Sequence, residues 1–403
     1  MFQGWLSRTF KGDRAIWGVV AVFMVYSLLA VYSSSVNVAF RNHGGNTTYF
    51  LRSQFLMLTA GLLIIILVHY LPYRIYSALA GIAVIVSAIL LVLTYFFGVT
   101  INEATRWLEI PYIGFRIQTS DIAKVALVIY LARSLARYQN QLKDFVLVTK
   151  FLMVPVLIIC ALIMPENLST ALMVFGICIL IMFIGGVPVK FLIAYAGMAV
   201  VFVIFFALVL WLLKEDNRVL TWIERMISFF AGKSSGADDY QINQAKIAIS
   251  TGGLFGKAPG HSIQRNMLPQ SNSDFIFAII IEEYGLLLGA IPLIMAYMIL
   301  LFRGISIVKK CETAFPAYLV LGLIVMIVTQ AMLNMMVAVD IFPVTGQTLP
   351  LVSWGRTSVV MMCFSIGVIL SVSRVVNARL RKEELPEEEQ KDEGELIYGT
   401  VAK

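Results

Sequence analysis

The chain has 403 residues, 59% of them hydrophobic and 14% charged, with a mean hydropathy of +0.85. That composition excludes a soluble globular domain, and apolar runs of about 20 residues read as membrane-spanning helices rather than barrel strands. The net charge of +7 sits mainly between the apolar runs, which is the pattern of cytoplasmic loops and not of a nucleic-acid patch.

The fold class predicted is an all-α polytopic membrane protein: ten transmembrane helices with a large extracytoplasmic loop between spans 7 and 8. A cytoplasmic N-terminus, 1–14, carries Arg8, Lys11 and Arg14. The apolar run after it is as long as a span and lacks a small-residue cleavage site, so it reads as a retained first helix. The predicted spans are 15–35, 51–70, 75–97, 119–138, 148–164, 168–186, 190–213, 274–302, 315–338 and 356–376. With both termini inside, the short inner segments collect Arg74, Arg133, Arg137, Lys143, Lys150, Lys190, Arg303, Lys309, Lys310 and Arg374, and the short outer ones only Arg41, Arg52, Arg106, Arg116 and Arg356. The positive-inside rule therefore fixes the orientation.

Between spans 3 and 4, residues 102–121 form a polar outer connection containing Arg106, Trp107 and Arg116. Asp121 and Lys124, three apart, can pair on one helix face. They either line a polar cavity or merely offset each other's insertion cost. The connection 164–170 is short and makes an antiparallel helix hairpin. In the long loop 214–273, residues 219–231 have amphipathic spacing, fitting either a helix on the membrane surface or one packed within the loop. Residues 240–251 fit a short helix. The glycines at 252, 253, 256 and 260 follow no strand and match no nucleotide-binding pattern. At Asp274 the polar loop meets the apolar run that starts at Phe275. A carboxylate there is either a helix N-cap or a partly desolvated group whose pKa is raised toward a useful base.

Residues 339–355 contain Pro343, Gly346 and Pro350 among bulky apolar groups. They read as a re-entrant segment, because non-helical backbone at membrane depth survives only against protein or a watery cavity. The membrane domain is thus 15–376, and 377–403 is a cytoplasmic tail, acidic from 383 to 395. The four cysteines (Cys160, Cys178, Cys311, Cys363) form no disulfide framework, and His43, His69 and His261 share no metal-ligand spacing. The sequons at Asn46 and Asn167 read as chance matches.

Several stretches together resemble the SEDS family of bacterial cell-wall polymerases (shape, elongation, division and sporulation proteins). They are Ala104-Thr105-Arg106-Trp107, Ser120-Asp121-Ile122-Ala123-Lys124, the glycine run 252–260, Leu268-Pro269, Ser273-Asp274-Phe275 with Glu282-Glu283, and 348–358 (TLPLVSWGRTS). Order, spacing and the ten-span topology agree over nearly the whole chain, and the IYLA run at 129–132 is closer to the division branch than to the elongation branch. The chain departs from the family pattern at Trp354, Gly355 and Arg356, where a tyrosine and paired glycines are usual. It also departs at Gln270 to Ser273 before the acid, and at Glu166, which is shifted by one residue.

The resemblance implies a peptidoglycan glycosyltransferase that polymerises lipid II into glycan strands outside the bacterial inner membrane, at the septum. Undecaprenyl diphosphate would be the leaving group. Asp274 then becomes the catalytic base, taking the proton of the attacking sugar hydroxyl. Arg106, Lys246, Lys257 and Arg265 become the cations that meet the diphosphate, and Trp107, Ser353 and Arg356 further substrate contacts. Asp121, Lys124 and Glu283 shape the cavity. No cofactor is required, although a divalent cation (Mg or Mn) is admitted. The partner implied is a class B penicillin-binding protein, with other division proteins. Two other readings remain open: a lipid II flippase, or an elongation-type polymerase.

Overall fold

The computed structural model describes residues 11–36, 47–101, 104–110, 115–213, 237–268 and 271–383. In chain order it holds α1 Arg14–Ser34, α2 Thr47–Tyr70, α3 Arg74–Phe97, β1 Val99–Ile101, β2 Ala104–Ile110, β3 Phe115–Gln118, α4 Thr119–Arg137, α5 Phe145–Ile163, α6 Leu168–Ile184, α7 Val189–Leu213, α8 Ala237–Gly252, α9 Ile276–Gly285, α10 Ile291–Lys309, α11 Ala314–Ala338 and α12 Arg356–Glu383. Each predicted span lies on helix over most of its length, the one at 274–302 with a break inside it. Among the described residues seven stretches are long and apolar enough to cross a membrane: α1, α2, α3, α5, the α9–α10 stretch, α11 and α12. α6 and the first part of α7 are shorter apolar helices, and α4 carries Asp121, Lys124, Arg133 and Arg137.

Local chemistry explains the helix starts. Asp13, Asp144 and Asn167 each accept a backbone N–H of the first turn of α1, α5 and α6, satisfying donors that a helix end leaves open. The sequon asparagine at 167 is thus a structural cap.

The core is built on α4, α11 and α12, whose apolar residues are buried around most of the helix. α2 lies closely against α12 because a Cβ at Gly61 would meet Cys363 Sγ at 2.6 Å and one at Gly367 would meet Val68 Cβ at 2.8 Å. Small residues at such crossings let helix backbones approach where lipid supplies no hydrophobic drive. Outward-facing Phe55, Leu63, Leu67, Ile82, Ile85, Ile193 and Ile204 are exposed on α2, α3 and α7, as a lipid-facing belt requires.

The structure adds three features to these expectations. The candidate membrane spans are all helical, and within the polar outer connection β1, β2 and β3 form an antiparallel sheet in that order. Trp107 pairs with Gln118 and Glu109 with Arg116, and the Arg116 Nε–Glu109 Oε2 distance is 3.0 Å. Pairing satisfies backbone groups that the helices above and below cannot reach. Second, the span expected at 274–302 is broken. Gly285 has φ 74° and ψ −174°, a turn of π-helix follows at Leu286–Ala290, and α9 is therefore a separate helix. Third, the glycine run is bonded to the α9–α10 junction. The segment expected to be amphipathic at 219–231, the sequon at Asn46 and the acidic run from 384 onward lie outside the described residues.

Candidate functional site

The site lies at the end of the bundle that holds Ser34, Thr119 and Asn334, called here the upper end. Asp274 stands just before α9. It is not the helix cap: Phe275 occupies that position and no side chain bonds the first turn. Its backbone is instead fixed from α11, where Asn334 Nδ2 donates to the Asp274 carbonyl at 2.8 Å and to the Gln347 carbonyl at 2.7 Å. One amide therefore ties the acid's main chain to the non-helical segment 340–355.

That segment brings the acid a partner. Gly346 has φ 63°, and a Cβ built on it would lie 3.6 Å from Asp274 Oδ2 and 3.7 Å from Arg106 Nη1. The carboxylate and the guanidinium thus face the same spot, which only a residue without a side chain leaves open. Arg106 comes from β2, and its Nε donates to the Glu166 carbonyl at 3.2 Å. Gln347 Nε2 donates to Thr170 Oγ1 at 2.5 Å. The turn between α5 and α6 is thereby joined to the same site.

Asp274 is partly exposed, yet protein surrounds it closely. Burial raises its carboxyl from the ordinary 3.8 to about 6, against the opposing pull of a hydrogen bond from Ser273 and of the Arg106 charge. A carboxyl titrating near 6 is ionised at neutral pH and basic enough to accept a proton.

The other predicted residues fall into distinct places. Lys246 is paired with Asp340. Lys257 Nζ lies 2.8 Å from Glu282 Oε1. Arg265 Nη1 lies 2.9 Å from Ser33 Oγ and 3.8 Å from Glu283 Oε1. Glu283 sits some nine residues along α9 from Asp274, roughly 13 Å away at 1.5 Å per residue, between α1 and the glycine loop. Ser353 is buried, donating to the Ser273 carbonyl at 2.6 Å and accepting from Leu349 N at 2.8 Å. Trp107 is part-buried on β2. Arg356 opens α12 with no acidic residue in the first turn, and its neighbour Thr357 bonds Gln118 N and the Arg116 carbonyl.

Asp121 and Lys124 form a buried pair at 2.8 Å. Lys124 Nζ also donates to Gln330 Oε1 at 3.1 Å, and Gln330 Nε2 donates to the Thr348 carbonyl at 3.0 Å. The pair thus supports the segment that carries Gly346. Sequence reasoning missed Gln330, Asn334 and Gln347, and took Gly346 only as a helix breaker. The signal was available for the first two: amides four apart in an apolar helix share a face, and polar groups inside a span face protein.

Among the described residues no group of three or more His, Cys, Asp or Glu could hold a metal. A divalent cation at Asp274 would meet a guanidinium beside a single carboxylate, so the protein alone supplies too few ligands, and substrate phosphate oxygens would have to complete the set.

Beside the site, α5, α6 and α7 leave an open-sided apolar crevice lined by Leu157, Cys160, Ala161, Ala171, Phe175 and Phe202 among others.

Four similarities bear on this arrangement. Residues 13–378 match the model of the FtsW/RodA/SpoVE family, described as cell cycle protein. A probable peptidoglycan glycosyltransferase FtsW of Saccharophagus degradans is 31% identical over 378 residues, covering 91% of this chain and 93% of the relative. The peptidoglycan glycosyltransferase MrdB of Escherichia coli is 30% identical over 362 residues, covering 88% and 91%. Among solved structures, a chain of a peptidoglycan synthase complex, studied for the coordination of polymerization and crosslinking, has a TM-score of 0.70 at 23% identity. It covers 90% of this chain and 98% of that one.

Proposed function

The chain belongs to the FtsW/RodA/SpoVE family of cell cycle proteins, and on that premise we propose that it is a peptidoglycan glycosyltransferase polymerising lipid II. The observation that carries the reading is the meeting of Asp274 and Arg106 across Gly346. In the proposed reaction a sugar hydroxyl of one lipid-linked disaccharide attacks the anomeric carbon of the growing strand. The new C–O bond forms as the bond to diphosphate breaks. Asp274 takes the hydroxyl proton, and Arg106 meets the charge that develops on the departing diphosphate. Arg356, on the same rim beside β3, is a second cation for the substrate. Lys246, Lys257 and Arg265 are each engaged by a carboxylate, so their proposed work is to hold the loops of the site. Trp107 offers a face for a sugar, and Ser353 positions the segment around Gly346.

The apolar crevice supports a lipid-linked substrate. The Arg106 bond to Glu166 and the Gln347 bond to Thr170 hold the polar site at its mouth. A polyprenyl tail would lie along the open side, with its diphosphate toward Arg106.

The orientation proposed puts the upper end outside, with both termini cytoplasmic and all ten predicted spans crossing the inner membrane. Basic residues at the lower end support it: Arg14, Arg74, Arg133, Arg137, Lys309 and Lys310. The similarity to a chain of a peptidoglycan synthase complex supports a crosslinking partner, here a class B penicillin-binding protein. Relatives carrying the FtsW and MrdB names are equally similar, at 31% and 30%. The sequence motifs favour the division branch, and a fluorescent fusion collecting at midcell rather than along the side wall tests it.

The deciding experiment gives purified protein lipid II in detergent, together with its transpeptidase partner. Glycan polymer is expected from the wild type and none from Asp274→Asn. Polymer at the normal rate from the Asn variant would remove Asp274 from the chemistry. Translocation of intact lipid in vesicles, with no polymer in detergent, would make the protein a carrier instead.

A further inference from the structure

The glycine run 252–256 ends in two large apolar side chains that face away from the protein. Leu254 is 57% exposed and Phe255 is 75% exposed. The backbone beneath them is fixed. Leu286 N donates to the Gly253 carbonyl at 3.0 Å, Leu287 N to the Leu254 carbonyl at 3.1 Å, and Lys257 N to the Glu282 carbonyl at 2.9 Å. A Cβ at Gly252 would sit 2.2 Å from the Ile281 carbonyl oxygen, and one at Gly256 the same distance from that of Glu283. The turn therefore lies backbone to backbone on the junction of α9 and α10, with Leu254 and Phe255 as its outward tip.

The depth of that tip can be measured along α1. At the lower end Asp13 Oδ2 is bonded by Arg303 Nε at 2.8 Å. At the upper end Ser33 is bonded to Glu283. About 20 residues of α1 separate the two levels, roughly 30 Å at 1.5 Å per residue, which is the thickness of a hydrocarbon core. Charged groups mark both ends of this ruler. Tyr26, about 20 Å up from Asp13 on the same scale, bonds the Leu288 carbonyl with its hydroxyl at 2.5 Å. Leu287, which holds the turn, is the next residue. The turn thus sits several ångströms below the level of Glu283. It is also continuous with exposed Leu287, Leu288 and Ile291, which begin the outward face of α10.

We propose that the Gly252–Gly256 turn is a hydrophobic wedge, with Leu254 and Phe255 seated among the acyl chains of the leaflet at the upper end of the bundle. The occupant is lipid rather than protein, because the tip prolongs a face already turned to lipid and lies beneath the charged level of Glu282 and Glu283. An amphipathic element held at this depth is bound by the apolar area it inserts. α8 then descends to the membrane and the chain turns within it. Glu282 accepts the Lys257 ammonium and the N–H groups of Ile263 and Gln264 as the chain climbs back.

The test places an environment-sensitive dye (NBD) on Phe255→Cys, and separately on Leu254→Cys, in full-length protein carrying Cys311→Ser, the other three thiols being buried. The control is Asn243→Cys, exposed on α8 about 13 Å along the helix from Gly252. In vesicles of phospholipid alone, the dye at 254 and 255 should emit at shorter wavelength than at 243. Lipids brominated high on the acyl chain should quench it at least about twofold more strongly, as an inserted apolar tip requires. Both positions are exposed, so the substitutions leave the core intact. Equal quenching and equal emission at 243, 254 and 255 would overturn the proposal and assign the tip to water or to a protein partner.

Discussion

A carboxyl held near 6 carries a consequence for stability as well as for rate. Burial favours the protonated form of Asp274 in the fold, from 3.8 up to about 6. The stabilisation this gives is complete below about pH 4 and is lost as pH rises through 6. At neutral pH the ionised acid therefore weakens the fold. Asp274→Asn should raise the melting temperature at pH 7 relative to wild type, with the difference disappearing toward pH 4, as thermal unfolding would read. A lower melting temperature at pH 7 would mean that the ionised carboxylate is held by more than Arg106 and Ser273. Polymerisation should depend on the ionised form, with a rate limb near pH 6. Arg106 pulls that value down, so Arg106→Gln should move the limb of the residual activity to higher pH. An unmoved limb would separate the two groups.

Among the elements, α9 is held mainly by the loop that precedes it. Glu282 is fully buried and takes Lys257 Nζ at 2.8 Å, the Ser262 hydroxyl, and the N–H groups of Ile263 and Gln264 at 3.2 Å each. Such a carboxylate is costly to disturb, because a removed charge leaves its partners buried without an acceptor. Glu282→Gln should destabilise the protein by about 3 kcal/mol and speed proteolytic cutting between 257 and 265. Lys257→Met should cost less, since Lys257 is partly exposed and the backbone donors remain. Equal effects would show that the ammonium alone anchors the loop. The 340–355 segment is anchored by the same logic. Gln330 and Asn334 bond its carbonyls, Ser353 bonds across to Ser273, and Tyr297 Oη bonds the Pro350 carbonyl at 2.5 Å.

Taken as a molecule, the protein sets a polar site at one end of an apolar bundle and opens a crevice beside it. If the crevice receives a lipid tail, filling it should hurt long-tailed substrates selectively. Ala161→Phe, at the part-buried wall shared by α5, α6 and α7, should raise KM for a polyprenyl substrate about tenfold, the equivalent of displacing about two CH₂ groups at ~0.8 kcal/mol each. A short-tailed analogue should be used as before. An equal loss for both analogues would place the tail elsewhere.

Much of this was legible in the sequence. The run of apolar segments determined a helical membrane protein, because about 20 apolar residues in a row have few other uses. The abrupt change at Asp274 marked a carboxylate at the edge of an apolar run, and the structure holds it partly desolvated there. What the sequence left open was which acidic group each cation meets. Lys257, Arg265 and Lys246 differ from Arg106 only in their neighbours across space, and Glu282, Glu283 and Asp340 became those neighbours only once the loops had folded back. The sheet at 99–118 and the break at Gly285 were hidden for the same reason. Short strands and a single left-handed glycine are chosen by tertiary contacts that outweigh local preference. Composition sufficed to place the chain in a membrane, while the approach of Asp274 and Arg106 to one spot needed the α11 amides, the bare Gly346 and the turn at Glu166 to converge from distant parts of the sequence.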